Sequence, residues 1–439
     1  MISVIRGANI RIIVAIGVLL TSTLMVIIAG PENSRIRAVQ NYPATLCPAN
    51  LSDASSTSVL PSSKTLVRQI PNKKGNISPA KSSHYLSAKP VLVEGASSTS
   101  INVTRTKSRT LATVACSISK GNQWFVGGSG AVTSRASLQI INSGLGASIV
   151  DLVVYTSTAM PSVVTKRIFQ NSSKRIYLDT LAPGENSIVI HAITRSGRAT
   201  IFMHDQRQRG LKSLGSEFVS QSADPANLVV IPAVSNVALS NGTARQKLRI
   251  LVPGKVEAKV QAKLVSTDGS FIPVGLDNLN VAASQVLDIS FKPILRSRNF
   301  VLLLTSDRPI VAAVMSSGAN NGTNDFSWST SVKEIGDLTL YLGGLRPDVV
   351  FQGKNVGVDV EWVDTRRKIH NKFIQGKGLA VWRPRSGVVR VTFSAQDKGI
   401  YGGAIFKEQY GFSFLPLMPG SQLESAAIPS ADARVITRE

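Results

Sequence analysis

SLQIINSG (residues 137–144), KLRILVPG (247–254) and DLTLYLGG (337–344) can be laid one above another. Leu138, Leu248 and Leu338 coincide, then Ile140, Ile250 and Leu340, then Gly144, Gly254 and Gly344. Sixty residues beyond each leucine stand Arg198, Arg308 and Lys398, within SGRATIFM, SDRPIVAAVM and QDKGIYGGAIF. Agreement at both ends over the same internal distance identifies an internal repeat of three units. The period is 110 residues and then 90 (138 to 248 to 338), which places insertions in the connections.

Each unit reads as strands. Alternation in LQI and LRI, and runs such as IVDLVVYT and NFVLLLTS, are bounded by Gly, Pro, Asn or Asp at short intervals. Pro-Gly in TLAPGENS and Asp-Gly in STDGSF are turn signals. No segment keeps a helical apolar stripe. Units of about 90–110 residues suit a two-sheet antiparallel sandwich; a propeller of the same strands is the alternative, although its blades repeat every ~40–50 residues. In TSDRPIVAAV, Ser306 and Asp307 can accept backbone hydrogen bonds and Pro309 fixes its own φ. The turn therefore reads as a hairpin tip with Arg308 exposed on it, and Asp397 holds the corresponding place in the third unit.

The N-terminus carries a different signal. Arg6 and Arg11 precede Ile12–Gly30, which has no charge and is long enough as a helix to cross the hydrocarbon core. Bulky Ile27 spoils the small-x-small site of a cleavable signal peptide, so an uncleaved anchor is preferred to a cleaved signal. Either way the long C-terminal part is expected outside the cytoplasm, and the anchored form is a single-pass cell-membrane protein. There a lone pair of cysteines, Cys47 and Cys116, is readily oxidised; bridging them closes a loop of about 70 residues, credited with about 4 kcal/mol. Two unpaired thiols are the alternative.

The 49 Lys and Arg outnumber the 26 Asp and Glu, for a net charge of +23. That field favours anionic envelope polymers or phospholipid head groups, with a merely solvated basic surface as the bland alternative. Residues 31–110 are rich in Ser, Pro and Lys with little periodicity, and read as an extended basic stalk with short strands near KPVLVEG and SINVT. Lys64, Arg68, Lys73, Lys74, Lys81, Arg105, Lys107 and Arg109 are its candidate polyanion contacts. No aromatics are interleaved with them for base stacking, so sequence-specific nucleic-acid reading is not expected.

The expected fold is mostly β: an N-terminal transmembrane helix followed by three tandem antiparallel β-sandwich-like modules. The plan is a cytoplasmic N-terminus (1–11), the anchor (12–30), the stalk (31–110), β modules at 111–215, 216–325 and 326–411, and a tail (412–439).

QWFVGGSG, then SLQIINSGLGASIVDLVVYT, then an Asp-Arg-Pro turn before IVAA, resembles an actinobacterial family of exported or N-terminally anchored envelope proteins, a domain of unknown function. Trp124, Phe125 and Gly127 match its opening, Asn142 its turn, and Ser306, Asp307 and Pro309 its closing hairpin. The resemblance covers roughly residues 112–410. Units two and three lack the opening Trp, and units one and three lack the closing Pro.

Enzyme signatures are weak. Ser117 and Lys120 satisfy S-x-x-K, but K-T-G and S-D-N are absent, and Ala131 spoils a nucleophile elbow in GGSGA. His204 and Asp205 are strand neighbours and point to opposite faces. No carboxylate pair stands out, and no cofactor or metal is called for. Trp362 and Trp382 lie beside arginines and are candidate glycan contacts, with a core role as the alternative. The expectation is a non-catalytic scaffold, adhesin or accessory factor that binds anionic or glycan envelope polymers; the alternative is an envelope enzyme acting on glycan or peptide.

Overall fold

A computed structural model describes residues 44–49, 55–72, 77–85, 88–96, 98–105, 110–236, 245–320, 322–409 and 411–418. The apolar run 12–30, its flanks and the chain after 418 lie outside the described residues. Among the described residues no helix is long and apolar enough to cross a membrane.

The chain is mostly β, in several sheets. The N-terminal strands are β1 (Thr45–Cys47), β2 (Ser55–Ser58), β3 (Ser62–Gln69), β4 (Ser78–Ala80), β5 (His84–Tyr85), β6 (Val91–Glu94), β7 (Thr99–Arg105) and β8 (Leu111–Ala115). Next come β9 (Asn122–Val126), β10 (Ser137–Asn142), β11 (Ser148–Thr156), β12 (Ser162–Ile168), β13 (Ser172–Tyr177), β14 (Ile188–Ser196), β15 (Thr200–Arg209) and β16 (Lys212–Val219). The following group is β17 (Ala226–Ser235), β18 (Arg245–Leu251), β19 (Ala258–Ser266), β20 (Gly269–Phe271), β21 (Leu279–Val281), β22 (Val286–Phe291), β23 (Asn299–Asn320) and β24 (Thr323–Thr330). The last is β25 (Leu338–Leu345), β26 (Pro347–Asp364), β27 (Ile369–Trp382), β28 (Val388–Ala395), β29 (Tyr401–Lys407) and β30 (Phe412–Pro416). Two boundaries of the sequence plan therefore cut strands: 215/216 falls inside β16 and 325/326 inside β24.

The period-2 pattern shows its purpose in β19, where Ala258, Val260, Ala262 and Leu264 are buried while Lys259, Gln261 and Lys263 face water. β9–β16 make two four-stranded sheets, ordered β13-β10-β15-β16 and β12-β11-β14-β9. Both contribute to one core, with Leu138 and Ile140 from the first meeting Val150, Leu152 and Ile190 from the second.

The repeated turn is a sheet-to-sheet corner, which corrects the hairpin reading. β14 pairs with β11 and β9, and β15 with β10 and β16, so SGRA at 196–199 carries the chain from one sheet to the other. In the second unit the corner lies within one continuous strand. The first half of β23 pairs with β17 and β19, and its second half with β18 and β24. Strands that switch sheets make the corners of sandwiches, and Pro309 is tolerated there because a corner interrupts the ladder. Asp307 still accepts a backbone hydrogen bond, from Lys259 N–H at 2.8 Å, and Ser306 Oγ accepts one from Arg308 N–H at 3.3 Å. In the third unit β28 and β29 both pair with the long β26, so the turn at Asp397 stays within one sheet.

The stalk reading is also corrected. The described part of 31–110 is folded, and β7 lies parallel to β25 with Leu340 opposite Thr99 and Tyr341 opposite Ser100. β2, β5, β7 and β8 thereby join β25–β30 in one ten-stranded sheet. Ile101 and Val103 sit in the same core as Phe351, Val391 and Trp382. The N-terminal segment completes the third unit, and the parallel pair is possible because more than 200 residues separate the two strands (99 to 340).

Four edge strands, β8, β16, β24 and β30, converge at a polar junction. Two buried carboxylates take the place of ladder partners there. Asp325 accepts from the backbone N–H of Leu111, Ser216, Phe326 and Phe412 at 3.0–3.3 Å. Glu217 accepts from Ser413 Oγ at 2.7 Å and from the N–H of Phe218 and Phe414 at 2.9 and 3.1 Å. A Cβ on Gly411 would stand 2.4 Å from Leu111 N, so this closeness needs glycine.

Candidate functional site

β18 reads RQKLRIL, and alternate residues of a strand share a face. Arg245, Lys247 and Arg249 therefore form one row of cations, passing from exposed through half-buried to buried. Residues directly opposite belong to the same face: Ser317, Met315 and Ala313 on β23, Ser290 and Asp288 on β22, and Trp328 on β24 beyond Met315.

The β9–β16 region covers one half of this face. There Arg249, only 1% exposed, spends its whole guanidinium. It grips Asp288 with Nε at 2.7 Å and Nη2 at 2.8 Å. It also donates to the carbonyls of Gly128, Ile188 and Asn186 at 2.7, 2.9 and 3.2 Å, and lies 5.0 Å over the Trp328 ring. Burial pushes the Asp288 carboxyl up, but the Arg249 guanidinium and the Ser187 hydroxyl outweigh it and hold it below the ordinary carboxylate range. Trp328 Nε1 donates to Asp205 Oδ2 at 3.0 Å, and Arg207 Nε donates to the same oxygen at 3.0 Å. The carbonyls that Arg249 holds belong partly to the VGGSG stretch. A Cβ on Gly127 would stand 2.8 Å from Val219 Cγ1 and 3.2 Å from Trp328 Cδ2, so the motif glycine is a packing requirement.

The other half of the face is open. It floors a groove of about 990 Å³ lined by Arg209, Arg245, Lys247, Lys292, Ser290 and Met315, among others. Arg209 reaches it from the end of β15, so the β9–β16 region contributes to it alongside β18, β22 and β23. Lys247 Nζ is 3.8 Å from Asp288 Oδ2, a carboxylate already held by Arg249. Four cations with hydroxyls between them suit phosphate or carboxylate groups spaced along a chain. The sequence reading missed this groove because it sought runs of charge. The available signal was the i, i+2 spacing of Arg245 and Lys247 on a strand.

The residues singled out from sequence are scattered. Cys47 and Cys116 are bonded, with S–S 2.06 Å and Cα–Cα 4.4 Å. Lys64 and Lys81 are exposed, whereas Arg68 pairs with Glu94 at 3.7 Å and Arg105 with Glu408 at 2.7 Å. Lys73, Lys74, Lys107 and Arg109 lie outside the described residues. Trp382 is 2% exposed and packs edge-on to Trp362 and Phe393, which corrects its reading as a glycan contact. Half-buried Trp362 stacks on His370 with centroids 5.0 Å apart, so that face is already covered.

The enzyme signatures come apart in space. Ser117 Oγ donates to the carbonyl of Ile118, and Lys120 Nζ to Gln221 Oε1 at 2.9 Å. His204 Nε2 bonds Ser216 Oγ at 2.7 Å on the face of β15 opposite to Asp205, and burial lowers its pKa to about 4. Among the described residues no cluster of three or more His, Cys, Asp or Glu could hold a metal ion.

The model of a family of unknown function, DUF5719, matches residues 87–366, and the chain belongs to that family. No curated protein matches the chain. Among solved structures, Thermotoga maritima 1070 is 12% identical over 25% of this chain and 95% of its own, with a TM-score of 0.20. A tetra-tandem repeat from the extending region of a large adhesion protein is 10% identical over 88% of this chain and 100% of its own, with a TM-score of 0.12. At these scores neither likeness carries an argument.

Proposed function

We propose that this member of a family of unknown function is a non-catalytic, membrane-anchored scaffold of three tandem β-sandwich modules, which binds an anionic envelope polymer outside the cytoplasm. The observation that carries the reading is the groove: Arg209, Arg245, Lys247 and Lys292 line one open face that the β9–β16 region builds together with β18, β22 and β23. The apolar run Ile12–Gly30 supports an anchor, and the Cys47–Cys116 bond supports an oxidising compartment. The corners at Arg198 and Arg308 support a sandwich over a propeller, since each hands the chain from one sheet to the other.

The test uses linear inorganic polyphosphate as the probe and the full chain in detergent. Binding is followed by fluorescence anisotropy across a salt series. Arg245→Glu with Lys247→Glu and Lys292→Glu should weaken binding about tenfold or more and flatten its salt dependence, because fewer counterions are released. Arg245 and Lys292 border the open groove, whereas a glutamate at 247 faces Asp288 and should lower the melting temperature modestly, so melting curves first establish that the triple variant is folded. Unchanged affinity and salt dependence in a folded triple variant would overturn the reading.

A further inference from the structure

One end of the β9–β16 region is made of three loops: 143–147 after β10, 169–171 after β12 and 197–199 after β14. They are braced against one another. Asn142 Nδ2 donates to the carbonyls of Gly146 and Ile168 at 2.9 and 3.1 Å, and Asn171 N–H donates to Gly144 O at 3.3 Å. Ser148 Oγ donates to Ser196 O at 2.9 Å. On this fixed framework Leu145 is 99% exposed and Phe169 is 64% exposed. Two large apolar side chains are thus held out into water at the tips of adjoining loops.

The rim around them is cationic. Arg167 lies 5.5 Å over the Phe169 ring, and Arg198 packs beside Gly144, its Cβ 3.8 Å from where a Cβ on that glycine would sit. Lys174 and Arg198 are exposed. Residues 142–148, 166–175 and 195–200 contain no Asp or Glu, and Asp151 nearby is ion-paired with Arg195. Apolar tips within a basic rim match the boundary of an anionic bilayer, where acyl chains lie just beneath phosphates.

We propose that this end docks on an anionic lipid bilayer, with Leu145 and Phe169 entering the interface and Arg167, Lys174 and Arg198 meeting head-group phosphates. The repeat supplies an internal control. The corresponding end of the second unit exposes Val256 to 56%, but Glu257 and Asp307 stand beside Lys255 and Arg308 there. Its charge is mixed, and it should not dock.

The experiment places the full chain in vesicles of phosphatidylcholine and phosphatidylglycerol at roughly 3:1, carrying brominated acyl chains, with Phe169→Trp as a local reporter. Any insertion of residues 12–30 is common to all variants, and the emission of the four native tryptophans, recorded on the unaltered chain under the same conditions, is subtracted so that the difference reads the depth of the reporter alone. Phe169→Trp emission should shift to the blue and be quenched in these vesicles. High salt, or phosphatidylcholine alone, should abolish both changes. Arg167→Glu with Arg198→Glu should cut the ratio of docked to undocked protein about tenfold or more, each basic residue near such a surface being worth roughly fivefold. Val256→Trp should stay unquenched. An unquenched Phe169→Trp, or equal quenching at both sites, overturns the proposal. So does emission that follows protein concentration instead of lipid, which assigns the tip to a second copy of the chain. Melting curves of the variants, all at exposed positions, confirm that a lost signal is not unfolding.

Discussion

Arg249 shows how far a single side chain can define an interface. It reaches from β18 to three carbonyls of the β9–β16 region while paired with Asp288. Removing it leaves half-buried Asp288 with only the Ser187 hydroxyl and the more distant Lys247 ammonium, and leaves three carbonyl acceptors without their donor. Arg249→Ala should therefore cost about 3–5 kcal/mol in thermal or urea unfolding, and Arg249→Lys should recover little because an ammonium lacks the planar fork. Asp307 and Arg308 make a milder pair. Asp307→Ala loses the bond from Lys259 N–H and should cost about 0.5–1.5 kcal/mol, whereas exposed Arg308→Ala should cost under about 0.5 kcal/mol. The third unit should not repeat this asymmetry, since Gln396 rather than Asp397 bonds across the turn, through its N–H to Gly357 O. At this scale the sequence revealed that Asp307 accepts backbone bonds, because that is local chemistry. It hid the role of Arg249, because the carbonyls it serves lie more than sixty positions away.

Among the elements, the edges are where stability becomes pH-dependent. Edge strands leave N–H groups without ladder partners, and at the junction of β8, β16, β24 and β30 two carboxylates accept six of them. Burial raises the Asp325 pKa to about 8 against the pull of its four N–H bonds, and burial also carries Glu217 well above its ordinary value. Between the ordinary carboxylate value and about 8 the folded chain holds a proton that the unfolded chain has lost, so these groups lower stability as pH rises. His204 acts in the opposite sense. Its pKa falls from 6.5 to about 4, so between these values the unfolded chain binds the extra proton and stability rises with pH. The two trends oppose each other below 6.5, and only the carboxylate trend remains above it. The melting temperature should accordingly fall between about pH 6.5 and 8. Asp325→Asn should flatten that slope while costing about 2 kcal/mol or more, because its amide turns N–H groups toward N–H donors. A slope unchanged in Asp325→Asn would remove Asp325 as its source. The strands of the three units were legible from period-2 alternation. The junction was not, because an acid in a strand reads as an outward-facing residue until its neighbours are known.

At the scale of the whole molecule, the segment between the apolar run and the first unit separates two architectures. Read as sequence, 31–110 is a Ser-rich basic stalk, and the reason it misleads is physical. Its strands bury polar side chains that satisfy one another: Asn102 Nδ2 donates to Thr57 Oγ1 at 3.1 Å and Thr104 Oγ1 to Asn102 Oδ1 at 3.2 Å. A search for apolar periodicity cannot find a core built partly in this way. A stalk could be removed without harm, but this segment should not be removable. Deleting residues 44–105 would strip β7 from β25, expose a long sheet edge, and take Ile101 and Val103 out of the third unit's core. At about 1.5–3 kcal/mol for each fully buried aliphatic side chain, those two residues alone represent a large share of an ordinary domain's stability. In the deletion variant, limited proteolysis should cut β25–β30 early while β9–β16 stays resistant for longer, because its main core, shared with β18 and β22–β24, includes no residue of 44–105, and it loses only the cover that Leu46, Ile70 and Leu92 give Ile141, Phe202 and Phe218. Reducing the Cys47–Cys116 bond in the intact chain should act in the same direction but more weakly, since it frees the N-terminal strands without removing them. Equal resistance of β25–β30 with and without residues 44–105 would restore the stalk, and with it a third unit able to stand alone.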